Sequence, residues 1–228
     1  MNGDIYISRY SAWAPGIKSP GEWNEWAAGK REMESGTESP AITFTDSLFR
    51  RRLSQISKMT IQVVHDLLPL DPETSMIFFS FRGEISKQFS INRTVIEDNA
   101  VMPAAFSLSV FNAPIALTSM ALSLKGGYSA LYPGYNSFSA GAAITEAAFA
   151  SGKNNEIIFV YADEMIPPEY EGIQYDNSNS PFPLAFSLLL CRQPSPGNIP
   201  LASLYSENDN PHNFLKRLIL SKGMYVSA

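Results

Sequence analysis

Apolar and polar positions alternate along the chain with two different periods. Asp4 to Arg9 (DIYISR) has the two-residue period of a strand and runs into a turn at Ala14-Pro15-Gly16. From Ser47 to Leu68, Leu53, Ile56, Met59, Ile61, Val63, Val64, Leu67 and Leu68 recur at helical spacing until Pro69 and Pro72, which predicts a helix leading into a strand. That strand is Ser75 to Phe81 (SMIFFSF), an almost unbroken apolar run of the kind covered on both faces. Phe89 to Asp98 reads as a short helix. Ala104 to Leu124 reads as a longer one that Pro114 kinks or divides. After Lys125-Gly126-Gly127 come a short strand, Tyr128 to Leu131, a tight turn at Pro133-Gly134 and a helix from about Asn136 to Ala150. Phe138, Ala140, Ala142, Ala143, Ile144, Ala147, Ala148 and Phe149 make that helix apolar around most of its circumference, so burial on every side is expected. Glu156 to Ala162 (EIIFVYA) and Leu184 to Cys191 (LAFSLLLC) are further buried strands, and an amphipathic helix spans His212 to Leu220. Lys18 to Pro40, rich in Gly, Ser, Glu and Pro, is a surface excursion pinned by Trp23 and Trp26. Helices alternating with apolar strands define an α/β fold with a mostly parallel sheet of about five strands flanked by helices.

Composition narrows the classes. At 228 residues, 45% hydrophobic and 17% charged, the chain has the material for one sizeable core, and residues 1–228 are expected to form a single domain. A net charge of -5, with Lys and Arg scattered except at Arg50-Arg51-Arg52, argues against nucleic acid as a partner. The longest apolar stretch, Ala100 to Leu124, is broken by Pro103, Asn112 and Pro114 before it reaches the roughly 18–20 apolar residues of a membrane span. Met1-Asn2-Gly3-Asp4 carries no basic segment of a secretory signal, so no membrane span and a cytoplasmic location are expected. Cys191 is the only cysteine and fits a reducing compartment. Asp163-Glu164 at a strand end lacks a third ligand nearby, so neither a metal nor another cofactor is expected.

From Arg50 to about Cys191 the chain resembles the N-terminal half of thiolase-fold β-ketoacyl synthases. The landmarks are Arg51-Arg52-Leu53-Ser54, Pro103, Asn112, Gly126, a helix ending at Gly152 and a strand closing on Ala162-Asp163-Glu164. In that family an asparagine follows the proline by nine residues, a glycine follows by fourteen more, and the nucleophilic cysteine by nine more. The same count here runs Pro103, Asn112, Gly126, Tyr135, and counting seventeen back from Gly152 also reaches Tyr135. The resemblance therefore implies a thiolase-like half-fold with tyrosine where the family carries its nucleophile. A thiolate is needed there to hold the acyl chain as a thioester, and a phenol of reference pKa about 10 is a poor substitute. The family's two catalytic histidines belong to its C-terminal half; His65 and His212, the only histidines, match neither.

Relatives that lose the cysteine are the chain-length factors of type II polyketide systems, and short ones serve aryl polyene pathways. The resemblance thus implies a non-catalytic subunit paired with a full-length β-ketoacyl synthase as a heterodimer, meeting acyl carrier protein through that complex. It implies that Met102, Ala105, Leu108, Ser109 and Asn112 face the partner's acyl tunnel, the small Ala105 and Ser109 leaving room for a long polyene. It also implies association through Ser107 to Ser119 and the strand near Tyr128, because the Asn136–Ala150 helix lacks the second sheet that covers it in a complete thiolase fold. Against this stands an independent acyltransferase or hydrolase using Ser137 or Tyr135, although the sequence GYNSFSAG is not the G-x-S-x-G of a nucleophile elbow. His65 reads as a helix-face residue, Cys191 as inert core, and Arg50 to Arg52 as a solvated helix start able to attract an acidic carrier protein.

Overall fold

The apolar runs lie where their patterns require. β2 (Ser75–Phe79) and β4 (Glu156–Asp163) are parallel neighbours at the centre of one sheet, with Met76 opposite Ile158 and Phe78 opposite Val160. β3 (Tyr128–Leu131) joins the outer side of β2 in parallel. β5 (Leu184–Cys191), β1 (Tyr6–Trp13) and the two-residue β6 (Ile199–Pro200) follow on the other side, each antiparallel to its neighbour, so the order is β3-β2-β4-β5-β1-β6. These relations come from a computed structural model that describes residues 4–100, 103–132, 138–152, 155–170, 182–206 and 209–222. The expected α/β half-fold is present with six strands where about five were expected. Its parallel pairings are confined to β3, β2 and β4. A parallel neighbour needs a crossover, and the described residues between β4 and β5 contain one short 3-10 turn, Pro168–Tyr170, and no α-helix.

Period-two alternation sorts the strand residues between two layers. Ile158, Val160 and Ala162 of β4 pack against α3 (Gln55–His65) and α6 (Ala113–Leu122) through Ile56, Met59, Val63 and Ile115. Ile157, Phe159 and Tyr161 turn to the opposite face and meet α1 (Pro20–Ala27), α7 (Ala140–Ala150) and α8 (Pro211–Lys222) through Trp23, Trp26, Phe149 and Phe214. The remaining helices are α2 (Ser47–Arg51), α4 (Ile85–Asp98) and α5 (Pro103–Phe106). None is long and apolar enough to cross a membrane among the described residues.

Three local features refine the sequence reading. The Lys18–Pro40 excursion contains a helix, α1, opened by a capping box in which Ser19 Oγ accepts the Glu22 N–H at 3.3 Å and Glu22 Oε2 accepts the Ser19 N–H at 2.9 Å. Trp23 and Trp26 are buried, as expected of anchors. Pro114 divides the 104–124 segment, falling in the first turn of α6, where its missing N–H breaks no helical bond. α7 is buried only along Gly141, Thr145 and Phe149, and leaves Ala143, Ala147 and Ala150 open to solvent. The chain itself does not supply the burial on every side that its composition led us to expect.

Gly126 lies where the backbone before β3 touches the turn before β2. A Cβ there would stand 2.1 Å from the Glu73 carbonyl oxygen and 2.5 Å from the Thr74 carbonyl carbon. Backbone atoms cannot rotate away as a side chain does. Gly126→Ala is expected to destabilise the chain by about 1–3 kcal/mol or more, seen as a lower urea midpoint in equilibrium unfolding.

Candidate functional site

The parallel strands β3, β2 and β4 end on one side of the sheet, where the crevices of α/β folds form. Three groups of residues converge there. The first is Phe138, just before α7. Tyr135 and Ser137 lie outside the described residues. The chain is described again at Phe138, which is buried with its ring centroid 5.4–6.2 Å from those of Phe79, Phe159, Tyr161, Phe186, Tyr205 and Phe214. This aromatic cluster anchors the N-terminal end of α7 against the sheet.

The second group is residues 103–112. Met102 lies outside the described residues. α5 is a single turn, after which Leu108 and Ser109 donate their N–H groups to the carbonyls of Ala105 and Phe106 at 3.1 and 3.0 Å. Ser109 is buried, and its Oγ donates to the Phe106 carbonyl at 2.9 Å. Leu108 packs beside Ile42, Leu53, Ile61 and Leu117. Ala105 is half-buried, while Asn112 is exposed and its amide approaches the Tyr128 hydroxyl at 3.5 Å. The large side chains that protrude from this segment are Phe106, 60% exposed, and Val110. Sequence reasoning passed over both, because the family spacing pointed to Met102, Ala105, Leu108, Ser109 and Asn112 instead.

The third group is a buried polar network, which the sequence signalled only as acidic residues ending an apolar strand. Asp163 Oδ1 accepts the Ser80 hydroxyl at 2.7 Å and the N–H groups of Phe81 and Arg82 at 3.1 and 3.0 Å, and Oδ2 accepts the Tyr161 hydroxyl at 2.7 Å. Glu164 Oε1 accepts the N–H of Ser86 in α4 at 2.9 Å, and Oε2 that of Ile56 in α3 at 3.4 Å. Glu84 Oε1 accepts the hydroxyls of Ser54 and Ser57 at 2.7 and 2.6 Å, while Oε2 has only the Lys87 ammonium, 3.8 Å away. Burial raises the pKa of all three carboxyls, and for Glu164 burial together with the charge of Glu84 carries it to about 7. The loop turns at Gly83, whose positive φ and missing side chain let the Phe111 ring pass; a Cβ there would meet that ring at 2.7 Å.

The other polar candidates do not gather. His65 ends α3 on one face of the sheet and stacks on Phe44 at 3.6 Å, as a helix-face residue does. His212 sits in α8 on the opposite face, beside Trp26, where burial holds its pKa down at about 3. Cys191 is half-buried at the end of β5, and burial raises its thiol pKa. Among the described residues, no three His, Cys, Asp or Glu side chains are placed to hold a metal. Arg50 folds back onto the carbonyls of Thr43 and Thr45, leaving Arg51 and Arg52 exposed. Arg52 borders a largely apolar groove of 530 Å³ formed with Phe44, Phe49, Leu53, Leu108 and Met120.

A mixed sheet between two helical layers is a thiolase-like α/β domain. Residues 23–214 match the model of the β-ketoacyl synthase N-terminal domain, and the chain belongs to that family. No curated protein sequence matches it. Among solved structures it is similar to a ketosynthase (ApeO) in complex with its chain length factor (ApeC) from Xenorhabdus doucetiae, at 23% identity and TM-score 0.67 over 83% of this chain and 79% of that one. It is similar to the ishigamide ketosynthase/chain length factor at 14% identity and TM-score 0.62, over 87% of this chain and 65% of that one. A type II polyketide synthase acyl-carrier protein in complex with its ketosynthase bound to the hexaketide (AntDE:AntF) matches at 15% and 0.58, over 84% and 64%. At these identities the shared property is the fold.

The network carries its own test. A carboxyl raised from 4.5 to about 7 on folding favours the folded state most at low pH, and that advantage is lost as pH rises from about 4.5 through 7. The buried neutral His212 has the opposite slope below about 6.5, so a single protein's pH profile mixes the two. The difference between Glu164→Gln and the parent isolates the carboxyl. Relative to the parent, the variant is expected to gain on the order of 2 kcal/mol between pH 5 and pH 7.5, measured by urea unfolding at each pH.

Proposed function

We propose that this chain is a non-catalytic chain-length-factor subunit. In this reading residues 1–228 act as one ketosynthase-like domain that pairs with a full-length β-ketoacyl synthase and shapes the tunnel in which an acyl-carrier-bound chain, of aryl polyene or other polyketide type, is elongated. The observation that carries it is the outer edge of the sheet at β3, with which no strand among the described residues pairs. Gly127 and Leu131 direct their carbonyls to β2, so the alternate residues Tyr128 and Ala130 turn their backbone polar groups away from the sheet. Tyr128 and Tyr132 are 38% and 66% exposed, and α6, which runs beside β3, exposes Met120. An unpaired strand flanked by exposed apolar side chains is a surface that another chain covers.

Three further observations support this reading. Ala143, Ala147 and Ala150 of α7 stand open where a second layer would pack. The carboxylates at the strand ends are engaged by N–H groups, hydroxyls and the Lys87 ammonium of the chain itself, an arrangement that holds loops together. Tyr135 takes the place of the family's nucleophilic cysteine by spacing. In the solved complexes similar to this chain, a ketosynthase is paired with a chain length factor or bound to an acyl-carrier protein. By the same reading Arg51 and Arg52, exposed beside the 530 Å³ groove on a chain of net charge -5, meet the acidic carrier protein.

Co-expression with the nearest encoded full-length ketosynthase, followed by affinity purification through this chain, is expected to recover the two in equal amounts with elongating activity. A chain that purifies alone as a stable monomer and leaves the synthase's products unchanged would overturn the proposal, and the 135–139 loop would then be tested as an active site. Ala130→Pro removes an outward N–H without touching the β2 ladder. It is expected to weaken co-purification at least about tenfold while the chain stays folded. Phe106→Ala, which removes the most protruding ring of α5, is expected to shift the pair's products toward longer chains, read by mass spectrometry.

A further inference from the structure

The segment that the proposal places at the partner's tunnel has little structure of its own. α5 is one turn of four residues, and the bonds made by Ser107, Leu108 and Ser109 stay within residues 103–109. A wall that decides where a growing chain stops has to hold still, so something outside the segment must fix it. Leu108 packs beside Ile42, Leu53, Ile61 and Leu117, and two consecutive residues in the first turn of α4 hold the backbone. Lys87 Nζ donates to the Leu108 carbonyl at 3.5 Å and to the Arg52 carbonyl at 3.2 Å. Gln88 Nε2 donates to the Ser109 carbonyl at 3.2 Å.

Lys87 is itself held. Its ammonium lies 3.8 Å from Glu84 Oε2, the buried carboxylate oxygen that no hydrogen-bond donor meets, and the other oxygen of Glu84 is fastened to α3 through Ser54 and Ser57. A continuous path therefore runs from the first turn of α3, through Glu84 and Lys87, to the Leu108 carbonyl. Phe111, lodged over Gly83, closes the far end of the segment.

We infer that Lys87 and Gln88 are positioning residues for product length: they clamp the 108–109 backbone to α4 and so fix how far residues 103–110 reach toward the partner. The inference rests on the proposed subunit role. Neither side chain touches the substrate; both act through the segment they hold.

The test uses Lys87→Met and Gln88→Leu, each one atom shorter than the parent side chain and without its donors, and Lys87→Arg, which restores a cationic donor. Hydrogen exchange, followed on the chain in the form in which it purifies, reads the clamp directly. Amides of 103–112 are expected to exchange about tenfold faster in Lys87→Met, with α6 and the central strands unchanged and Lys87→Arg returned toward the parent. Unchanged exchange in 103–112 would overturn the clamp, as would equal acceleration everywhere, which marks a merely destabilised fold. In the elongating pair, both donor-less variants are expected to broaden the product-length distribution at undiminished co-purification. Faster exchange with an unaltered distribution would overturn the link to product length. A parent chain that never pairs with the synthase would instead remove the subunit reading, and the exchange result would still decide whether the clamp exists.

Discussion

Glu164 stands where β4 ends and the first turns of α3 and α4 come together, and its two carboxylate oxygens take one N–H from each helix. Each helix N-terminus presents unpaired donors and the positive end of its dipole, so one carboxylate satisfies two helices at once. The site is almost sealed from water, and Glu84 lies close enough to oppose a second negative charge, which is why the Glu164 proton is released only near pH 7. The helix pair thus rests on a group that burial discourages from ionising and helix termini encourage to ionise. Asp163, one residue earlier, does the same for the 80–83 loop with three donors of its own. Three elements at this end are held by these adjacent acids: α3 on one face, α4 with the segment it grips, and the Gly83 turn that admits Phe111.

The two edges of the sheet are finished differently. β6 is two residues long and ends in Pro200, which cannot donate to a further strand. β3, at the other edge, has four residues, of which Tyr128 and Ala130 turn their polar backbone outward, and no proline. That asymmetry leaves one edge able to extend the sheet. The open alanines of α7 add a helix face whose composition asks for contact and whose own chain covers only part of it.

Much of the fold could be read from the pattern of residues. The unbroken runs SMIFF and EIIFVYAD carry no alternation because β2 and β4 have helices on both faces, and Pro114 divided a long apolar stretch where its ring required. α1 was hidden by a composition typical of loops, although Ser19 and Glu22 already stood at capping-box spacing. The antiparallel side of the sheet was not legible, since β5 shows the same apolar run as a parallel strand and only the connection before it tells the two apart. At the site, counting located the 103–112 segment but not its faces. Helical spacing does not hold across a segment whose helix stops after one turn, so Phe106 and Val110 turn outward and Ser109 inward. The acids were missed for a related reason. What Asp163 and Glu164 do depends on serines and N–H groups contributed from residues 54–57 and 80–86, far away in the chain.

These features bear jointly on the proposed role. Shaping another protein's cavity requires a surface that adheres and a wall that keeps its place, and in a chain this size both must come from the same few elements. Adhesion is available at β3 because the sheet ends there. Rigidity cannot come from the 103–112 segment, which lacks the length for cooperative helix structure. It is imported instead from α4, whose first turn is tied to the sheet by Glu164 and to α3 by Glu84. The buried acids would then influence chain length without meeting the chain. The carboxylates hold the first turn of α4, and α4 holds the carbonyls of Leu108 and Ser109.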